Sequence, residues 1–489
     1  MRYRLTLIGG LVLFGLGVMP VPGICAPTYD VVISGGRIID PESGLDAVRN
    51  VGISGGRIAR VTEDFLVGRR VLDAKGLVVS PGFIDLHQHG QDEESGRLKA
   101  FDGVTTALEM ELGRPDLAAF LRLKAARSLI NYGATASHGA ARALVFGAPL
   151  KEGILTGMLP VAGDATNLPA TDEQLSRIEA RLQSELDAGA LGIGMGIQYT
   201  PGASRLEVIR MFRLAARNHV PIFTHVRSFG RLEPGSSIEA VGEVIGAAAV
   251  TGASLHIVHI NSSCLRDGLE CLALVAGARA RGLDVTTEAY PYTAGMTEIN
   301  SALFNPGWRD KLGIGYEALV IPETGEVLTK ERFEALHASA HPQKVILFMN
   351  QQAMVDSVIV NPLVMIASDG DLGHPRNAGT HARILAYYVR NQRTLTLMDA
   401  IRKMSLMPAQ RLESSTGAAR RKGRLQEGAD ADVVVFDPNK IVDQATYQMP
   451  KAASTGMKYV IVNGAVLVDQ GKLVPNTYPG TAICRTACT

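Results

Sequence analysis

From about Ser80 to Ala419 short apolar runs alternate with helix-length amphipathic stretches. The runs include Val104–Leu108, Gly192–Met195, Ile222–His225, Leu255–Ile260, Val285–Glu288 and Leu363–Ser368; Asp172–Ala188 and Leu206–Asn218 are examples of the stretches between them. A short, almost wholly apolar run bounded by turn residues reads as a strand buried on both faces, and apolar residues three and four apart read as one face of a helix. Strand-then-helix units repeated over this length require parallel strands with helices packed on them. They favour an α/β fold closed as a (β/α)8 barrel over an open sheet. No glycine-rich phosphate loop opens a helix after a strand, so a nucleotide-binding sheet has no support. From about Gly295 to Lys344 the rhythm lapses into mixed polarity around Trp308 and Pro322, which predicts an insertion near the barrel mouth.

The two ends differ from the middle. Ile33-Ser-Gly-Gly-Arg-Ile38 returns as Ile53-Ser-Gly-Gly-Arg-Ile58, and a β-branched run meeting Gly-Gly predicts a hairpin at each copy. Asp432-Val-Val-Val-Phe436 and Tyr459-Val-Ile-Val462 predict strands, and Asn463-Gly464 predicts a tight turn into Ala465–Asp469. A small sheet domain built from both termini is therefore expected. Its parts are residues 27–80 and 420–489, flanking a barrel over 81–419 that carries the insertion at about 295–344.

Ahead of these lies a segment of another kind. Arg2 and Arg4 precede an uncharged run from Leu5 to Met19, followed by Pro20, Pro22 and Gly23. That order predicts a secretory signal over residues 1–26, with cleavage after Ala26 and a periplasmic or secreted product. No membrane association beyond export is expected. Cys25 leaves with the signal; the other four of the five cysteines permit Cys264–Cys271 and Cys484–Cys488 disulfides in an oxidising compartment. The whole chain of 489 residues has a formal net charge of +1, and removing Arg2 and Arg4 takes 49 basic residues to 47 against 48 acidic ones. Without a long basic or acidic run, nothing points to nucleic acid or an anionic membrane as a partner.

The residues that carry chemistry sit at strand ends. In Pro81-Gly-Phe-Ile-Asp-Leu-His-Gln-His89, residues two apart share a face, so His87 and His89 both point into the barrel at its catalytic end. Two imidazoles on one face can hold a zinc ion at about 2.0–2.1 Å. His225 in Phe-Thr-His-Val-Arg, His259 in Ile-Val-His-Ile-Asn and Asp369 in Ile-Ala-Ser-Asp-Gly end later apolar runs. Each spends a polar group where an apolar one would pack. His256 lies three residues before His259, so only one of the two can take a ligand position there.

These segments resemble the amidohydrolase superfamily and, within it, the D-aminoacylase (N-acyl-D-amino-acid deacylase) family. The resemblance covers nearly all of the chain after the signal. It rests on P-G-F-I-D-x-H-x-H, Gly103-Val-Thr-Thr106, the Gly189–Gly202 run, Thr224-His-Val-Arg227, Tyr290-Pro-Tyr-Thr293, Ser368-Asp-Gly370 with His374-Pro-Arg376, and Gly428–Pro438. It implies that the terminal sheet domain is a small β-sandwich flanking the barrel, and a site of one or two zinc ions held by His87, His89, His225 and His259, with Asp369 handling the proton. It also implies that Tyr290, Arg376 and His138 (in Ser137-His-Gly-Ala-Ala-Arg142) hold substrate or orient a ligand, Arg376 being suited to a carboxylate.

Two positions depart from the family. A cysteine expected soon after G-V-T-T is absent from Ala107-Leu-Glu-Met-Glu-Leu-Gly113, which makes Glu111 the candidate metal-bridging carboxylate and Glu109 the alternative. A lysine expected two residues after His259 is Asn261. No lysine stands near Thr135–His138, read as the end of the fourth strand, so a carboxylated-lysine bridge has no donor there. The activity implied is zinc-dependent hydrolysis of a linear amide in a small N-acyl amino acid or dipeptide-like substrate. Dipeptidase, cyclic-amidase or deaminase chemistry is the alternative, and a non-catalytic binding protein on the same scaffold is the second.

Overall fold

The computed structural model describes residue 1 and residues 28–148, 150, 163–339, 341 and 343–486. The expected signal, save Met1, lies outside the described residues, as does Cys488 of the expected second disulfide.

Eight parallel strands follow one another around a barrel: Phe83–Asp85 (β1), Val104–Arg114 (β2), Asn131–Ser137 (β3), Ile193–Gly196 (β4), Ile222–His225 (β5), Leu255–Ile257 (β6), Val285–Ala289 (β7) and Val364–Ile366 (β8). A parallel bridge between Gln88 and Gly370 brings the end of β8 back to the end of β1. The run near Thr135 thus ends the third strand rather than the fourth. The fourth ends at Gly196, and the Ile197–Tyr199 turn beyond it likewise offers no lysine.

Local rules explain the helices outside the barrel. Thr171 and Gln174 form a reciprocal capping box at the start of Asp172–Asp187. Leu175, Ile178, Leu182 and Leu186, three or four apart, are buried against the strands. Ser204 caps Arg205–Arg217, which buries Val208, Met211, Phe212 and Ala215 in the same manner. At about 1.5–3 kcal/mol for each large apolar side chain buried, this spacing drives helix packing more than intrinsic propensity does.

The termini meet in one nine-stranded sheet. Val78–Pro81 pairs with Thr28–Asp40 on one side and with Val433–Phe436 on the other. Ile33, Ile38, Val51, Val433, Val435 and Ile461 form its own core. The second Gly-Gly repeat is the expected hairpin turn, with Gly55 and Gly56 at φ 56° and 74°. The first is not. It lies inside the long strand Thr28–Asp40 as a bulge, because Leu45–Ser54 pairs with that strand both before and after the repeat and Gly36 packs so closely that a Cβ there would lie 2.4 Å from Val79. Asn463-Gly464 makes its turn at φ 49° and 83°.

Between β7 and β8 the insertion folds as a three-stranded antiparallel sheet of Ala294–Glu298, Leu319–Val320 and Lys344–Phe348. Phe304, Trp308, Phe333 and Leu319 give it a separate core. Cys264 and Cys271 form the expected disulfide in the segment that follows β6. Among the described residues no helix is long and apolar enough to cross a membrane.

Candidate metal centre

The C-terminal ends of five barrel strands deliver the polar residues. β1 leads into His87 and His89, which are 0% and 5% exposed. β2 runs 11 residues, well past the Val104–Leu108 seen in the sequence, and so carries Glu109 and Glu111 up to the mouth. β5 ends on His225. Beyond β6 and β8 the backbone turns left-handed at His259 (φ 30°) and Asp369 (φ 51°), a conformation that costs non-glycine residues of the order of 1–3 kcal/mol each. Both turns aim their side chains inward.

The six side chains converge around one carboxylate. Glu111 Oε2 lies 2.9 Å from His87 Nε2 and 3.1 Å from His89 Nε2, while its Oε1 lies 2.7 Å from His225 Nδ1 and 3.2 Å from His259 Nε2. Asp369 Oδ1 stands 3.4 Å from His87 Nε2 and 3.2 Å from His89 Nε2. Two candidate ligand groups result, His87–His89–Glu111–Asp369 and Glu111–His225–His259, and the ligand atoms of each lie within 4.8 Å of one another.

This donor set fits a divalent cation. His87 Nδ1 meets Glu288 Oε1 at 2.6 Å and His89 Nδ1 meets Glu109 Oε2 at 2.8 Å. A carboxylate only accepts, so each Nδ1 donates its proton outward and each Nε2 turns a lone pair inward. The two Nε2 atoms lie 3.2 Å apart, facing carboxylate oxygens as well. Lone pairs so close repel one another unless a cation lies among them, be it a proton or a metal ion. Four buried carboxylates, Glu109, Glu111, Glu288 and Asp369, add to that demand. Burial alone would lower the pKa of His87 and His89, yet the neighbouring carboxylates (Asp369, Glu111 and Glu288 around His87, Glu109 and Asp369 around His89) hold both well above the ordinary histidine range. His225 is pushed down by burial and by His259, and its Nε2 is buried without a partner. Imidazole and carboxylate without thiolate is a set that suits zinc among other divalent ions.

Above this cluster lies a cavity whose wall includes Tyr199, Tyr290 and Arg376 from the barrel and Met296, Leu303, Leu347 and Met349 in and just after the inserted sheet. Arg376 is 1% exposed; its Nη2 pairs with Asp369 Oδ2 at 2.9 Å and its guanidinium stacks 4.6 Å from the Tyr290 ring centroid. Arg376 Nε and Nη1 and the Tyr290 hydroxyl are buried without a partner of hydrogen-bonding geometry. Burial raises the Tyr290 pKa, keeping its hydroxyl a donor. Burial would raise that of Asp369 too, but Arg376 and His87 outweigh it and hold the carboxyl ionised.

His138 stands elsewhere. It opens the helix His138–Val145, its Nε2 meets Glu207 Oε1 at 2.8 Å, and Arg142 Nη1 takes the other Glu207 oxygen at 2.6 Å. This buried triad packs against the helix after β4 and does not line the cavity, so the expected contact with substrate is corrected. Glu109 lies behind His89 rather than among the converging atoms. His256 faces away from the cluster, 2.8 Å from Thr286 Oγ1, with its Nε2 3.3 Å from Glu288. Asn261 donates to the Tyr290 carbonyl at 3.1 Å and accepts from its N–H at 3.4 Å, a brace rather than a ligand-binding group. Sequence reasoning missed Glu288, although a lone carboxylate within the fully buried β7 was a signal of the same kind as His225.

Comparison with known proteins places this arrangement. The chain is 31% identical to an N-acyl-D-glutamate deacylase of Alcaligenes xylosoxydans xylosoxydans over 94% of its own length and 97% of that protein. It is 28% identical to a D-aminoacylase of the same organism, covering 94% and 98%. Among solved structures, an N-acyl-D-glutamate deacylase from Bordetella bronchiseptica, complexed with zinc and a phosphonate mimic of the tetrahedral intermediate, superposes with a TM-score of 0.78 at 26% identity, covering 94% of this chain and 100% of that one. A D-aminoacylase studied for its binuclear metal centre superposes with a TM-score of 0.76 at 26% identity, over 93% and 99%. The amidohydrolase family model matches residues 70–468, a span that runs from the edge of the terminal sheet through every strand end described above. The chain belongs to the amidohydrolase family.

Proposed function

We propose that this protein hydrolyses the amide bond of N-acyl amino acids, releasing a carboxylic acid and a free amino acid, with zinc at the cluster around Glu111. The observation that carries the reading is the placement of Asp369: one oxygen faces His87 and His89, the other is held by Arg376, and Asp369, His89 and Arg376 line one cavity. The D configuration is proposed from the named specificity of the similar deacylases.

His87, His89, Glu111 and Asp369 would hold one ion and Glu111, His225 and His259 a second. A bound ion would supply Lewis acidity and lower the pKa of a coordinated water toward about 7. Asp369, ionised in the resting site, takes the proton of the attacking water at Oδ1 and returns it to the leaving nitrogen. The Tyr290 hydroxyl donates to the oxygen that becomes negative in the tetrahedral intermediate. Arg376 donates to the substrate carboxylate through Nη1, while Nη2 stays on Asp369. Met296 and Leu347 of the inserted sheet line the same cavity and limit the access of bulk water to these hydrogen bonds.

Assay of the purified protein against N-acyl-D-amino acids, N-acyl-L-amino acids, dipeptides and cyclic amides tests the substrate class. D369N should lower turnover by at least about 100-fold with metal still bound, the scale of a lost general acid-base group. Undiminished turnover in D369N overturns the mechanism. Export as a periplasmic or secreted protein is part of the proposal, supported by the Arg2-to-Gly23 segment and by the Cys264–Cys271 disulfide. N-terminal sequencing of the mature protein should find residue 1–26 removed.

A further inference from the structure

Arg376 opens the helix Arg376–Arg383, and Pro375 before it provides no side-chain cap. The first N–H groups of a helix have no partner inside it. His374 supplies one here: its Nδ1 accepts the Arg376 N–H at 3.1 Å. An Nδ1 that accepts leaves the ring proton on Nε2, which donates to the Ala294 carbonyl at 3.1 Å. Ala294 begins the inserted strand Ala294–Glu298, whose Gly295, Met296 and Thr297 line the cavity. The His374 ring is 0% exposed, and Tyr292 and Tyr447 meet it nearly edge-on at 5.7 and 5.2 Å. A second tie runs beside it. Lys344, on the neighbouring inserted strand, donates to Asp371 Oδ2 at 2.6 Å and to the Leu372 carbonyl at 3.0 Å. The segment from Asp369 to Arg376 is thus fastened to the inserted sheet at two points.

We propose that His374 is a positioning residue for carboxylate recognition: it joins the Arg376 main chain to the inserted sheet, so that the sheet walling the cavity also sets where the guanidinium stands. This rests on the reading of Arg376 as the carboxylate anchor. The other restraints on Arg376 act at the far end of its side chain, where Asp369 Oδ2 holds Nη2 and the Tyr290 ring lies under the guanidinium. They leave the helix start to His374. Tyr290 is braced through its own main chain by Asn261, so it would not follow a shift of the helix start. Hydrogen bonds weaken steeply as their angle departs from linear, and a long side chain carries a small rotation at its root out to Nη1. A substrate without a carboxylate makes no use of that donor. The signature of the bridge is therefore a loss confined to substrates that carry the charge.

The test compares kcat/KM of the zinc-loaded full chain for an N-acyl-D-amino acid and for its primary carboxamide. Wild type should favour the acid by at least about 10-fold, the scale of a hydrogen bond to a charged group, and R376A should abolish that preference. H374A should cut the preference by about 5- to 10-fold, mainly through KM for the acid, with the carboxamide changed by less than twofold. H374N, which keeps an acceptor beside the Arg376 N–H, should recover part of it. On the R376A background H374A should have no further effect on the ratio, the non-additivity expected of residues acting through one another. K344M should lower the preference in the same sense and K344R restore it; should H374A fail to fold, this pair decides the matter. Equal losses on acid and carboxamide, a preference within twofold of wild type in both H374A and K344M, or an H374A effect that persists in R376A overturn the proposal and leave Arg376 as the anchor. A wild type without preference for the acid, or one that R376A leaves unchanged, overturns both.

Discussion

Asp85 offers the sharpest test of how the site is held in place. It is 0% exposed and its carboxylate joins three elements. Oδ1 accepts the His87 N–H at 3.2 Å and the Ser368 N–H at 3.0 Å; Oδ2 accepts the Ser368 hydroxyl at 2.5 Å and Lys99 Nζ at 2.7 Å. One buried carboxylate thus ties the strand bearing His87 and His89 to the segment bearing Asp369. D85N removes the charge but leaves Lys99, also 0% exposed, without its counter-ion. Stranding a buried charge costs about 3–5 kcal/mol. K99M added to D85N removes the stranded cation, so the double variant should lose about 2 kcal/mol less than the sum of the single ones. Burial would raise the Asp85 pKa, but Lys99, then His381 and the hydrogen bonds, outweigh it and bring it from 3.8 to about 2. Because the folded value is the lower one, the folded state is favoured above pH 3.8 and the gain is lost as pH falls through about 2; the gap corresponds to about 2–3 kcal/mol. Denaturant unfolding followed by far-ultraviolet circular dichroism, at pH 7 and across the acid range, reads all three quantities. A D85N protein within about 1 kcal/mol of wild type, or single effects that simply add, would refute the clamp.

Three further outcomes follow from the geometry. E111Q removes the carboxylate shared by both ligand groups, so affinity for divalent metal should fall by more than about 100-fold, beyond the 10- to 100-fold of an outer partner; unchanged metal content in elemental analysis would contradict the bridging position. C264S/C271S opens a loop of sequence separation 7, which on chain-entropy grounds costs about 2–3 kcal/mol. A melting temperature equal to wild type under non-reducing conditions would mean that the disulfide does not constrain the segment after His259. H138Q keeps a donor for Glu207, so KM should stay within about twofold while stability drops by about 1–2 kcal/mol; a tenfold rise in KM would place His138 at the substrate after all.

Much of the site was legible because strand geometry is simple. A period of two puts His87 and His89 on one face, and parallel barrel strands deliver their last residues to one mouth, so His225, His259 and Asp369 could be named together. Spacing alone could not separate Glu109 from Glu111, since both lie on the same face of β2. The structure separates them. The β2–β3 pairing slips between Glu109 and Arg114, leaving Glu109 behind His89 and Glu111 amid the cluster. Glu288 showed as a polar group in a buried strand, but its role could not be read, because it depends on a partner 201 residues away across the barrel. His138 erred for the complementary reason: its motif suggested substrate, but its ring meets Glu207, 69 residues away, a contact that no local pattern encodes.

By itself, then, the chain determined the alternation of strand and helix, the β-rich ends, and the residue types that terminate each strand. These are consequences of local periodicity and of the cost of placing a polar group where an apolar one would pack. Only the tertiary structure decided which polar groups face one another: which carboxylate lies between the imidazoles, which lie behind them, and that the first Gly-Gly repeat continues as a bulge while the second turns. Those outcomes depend on closure of the barrel and pairing of the two termini, where residues far apart in sequence come within hydrogen-bonding distance.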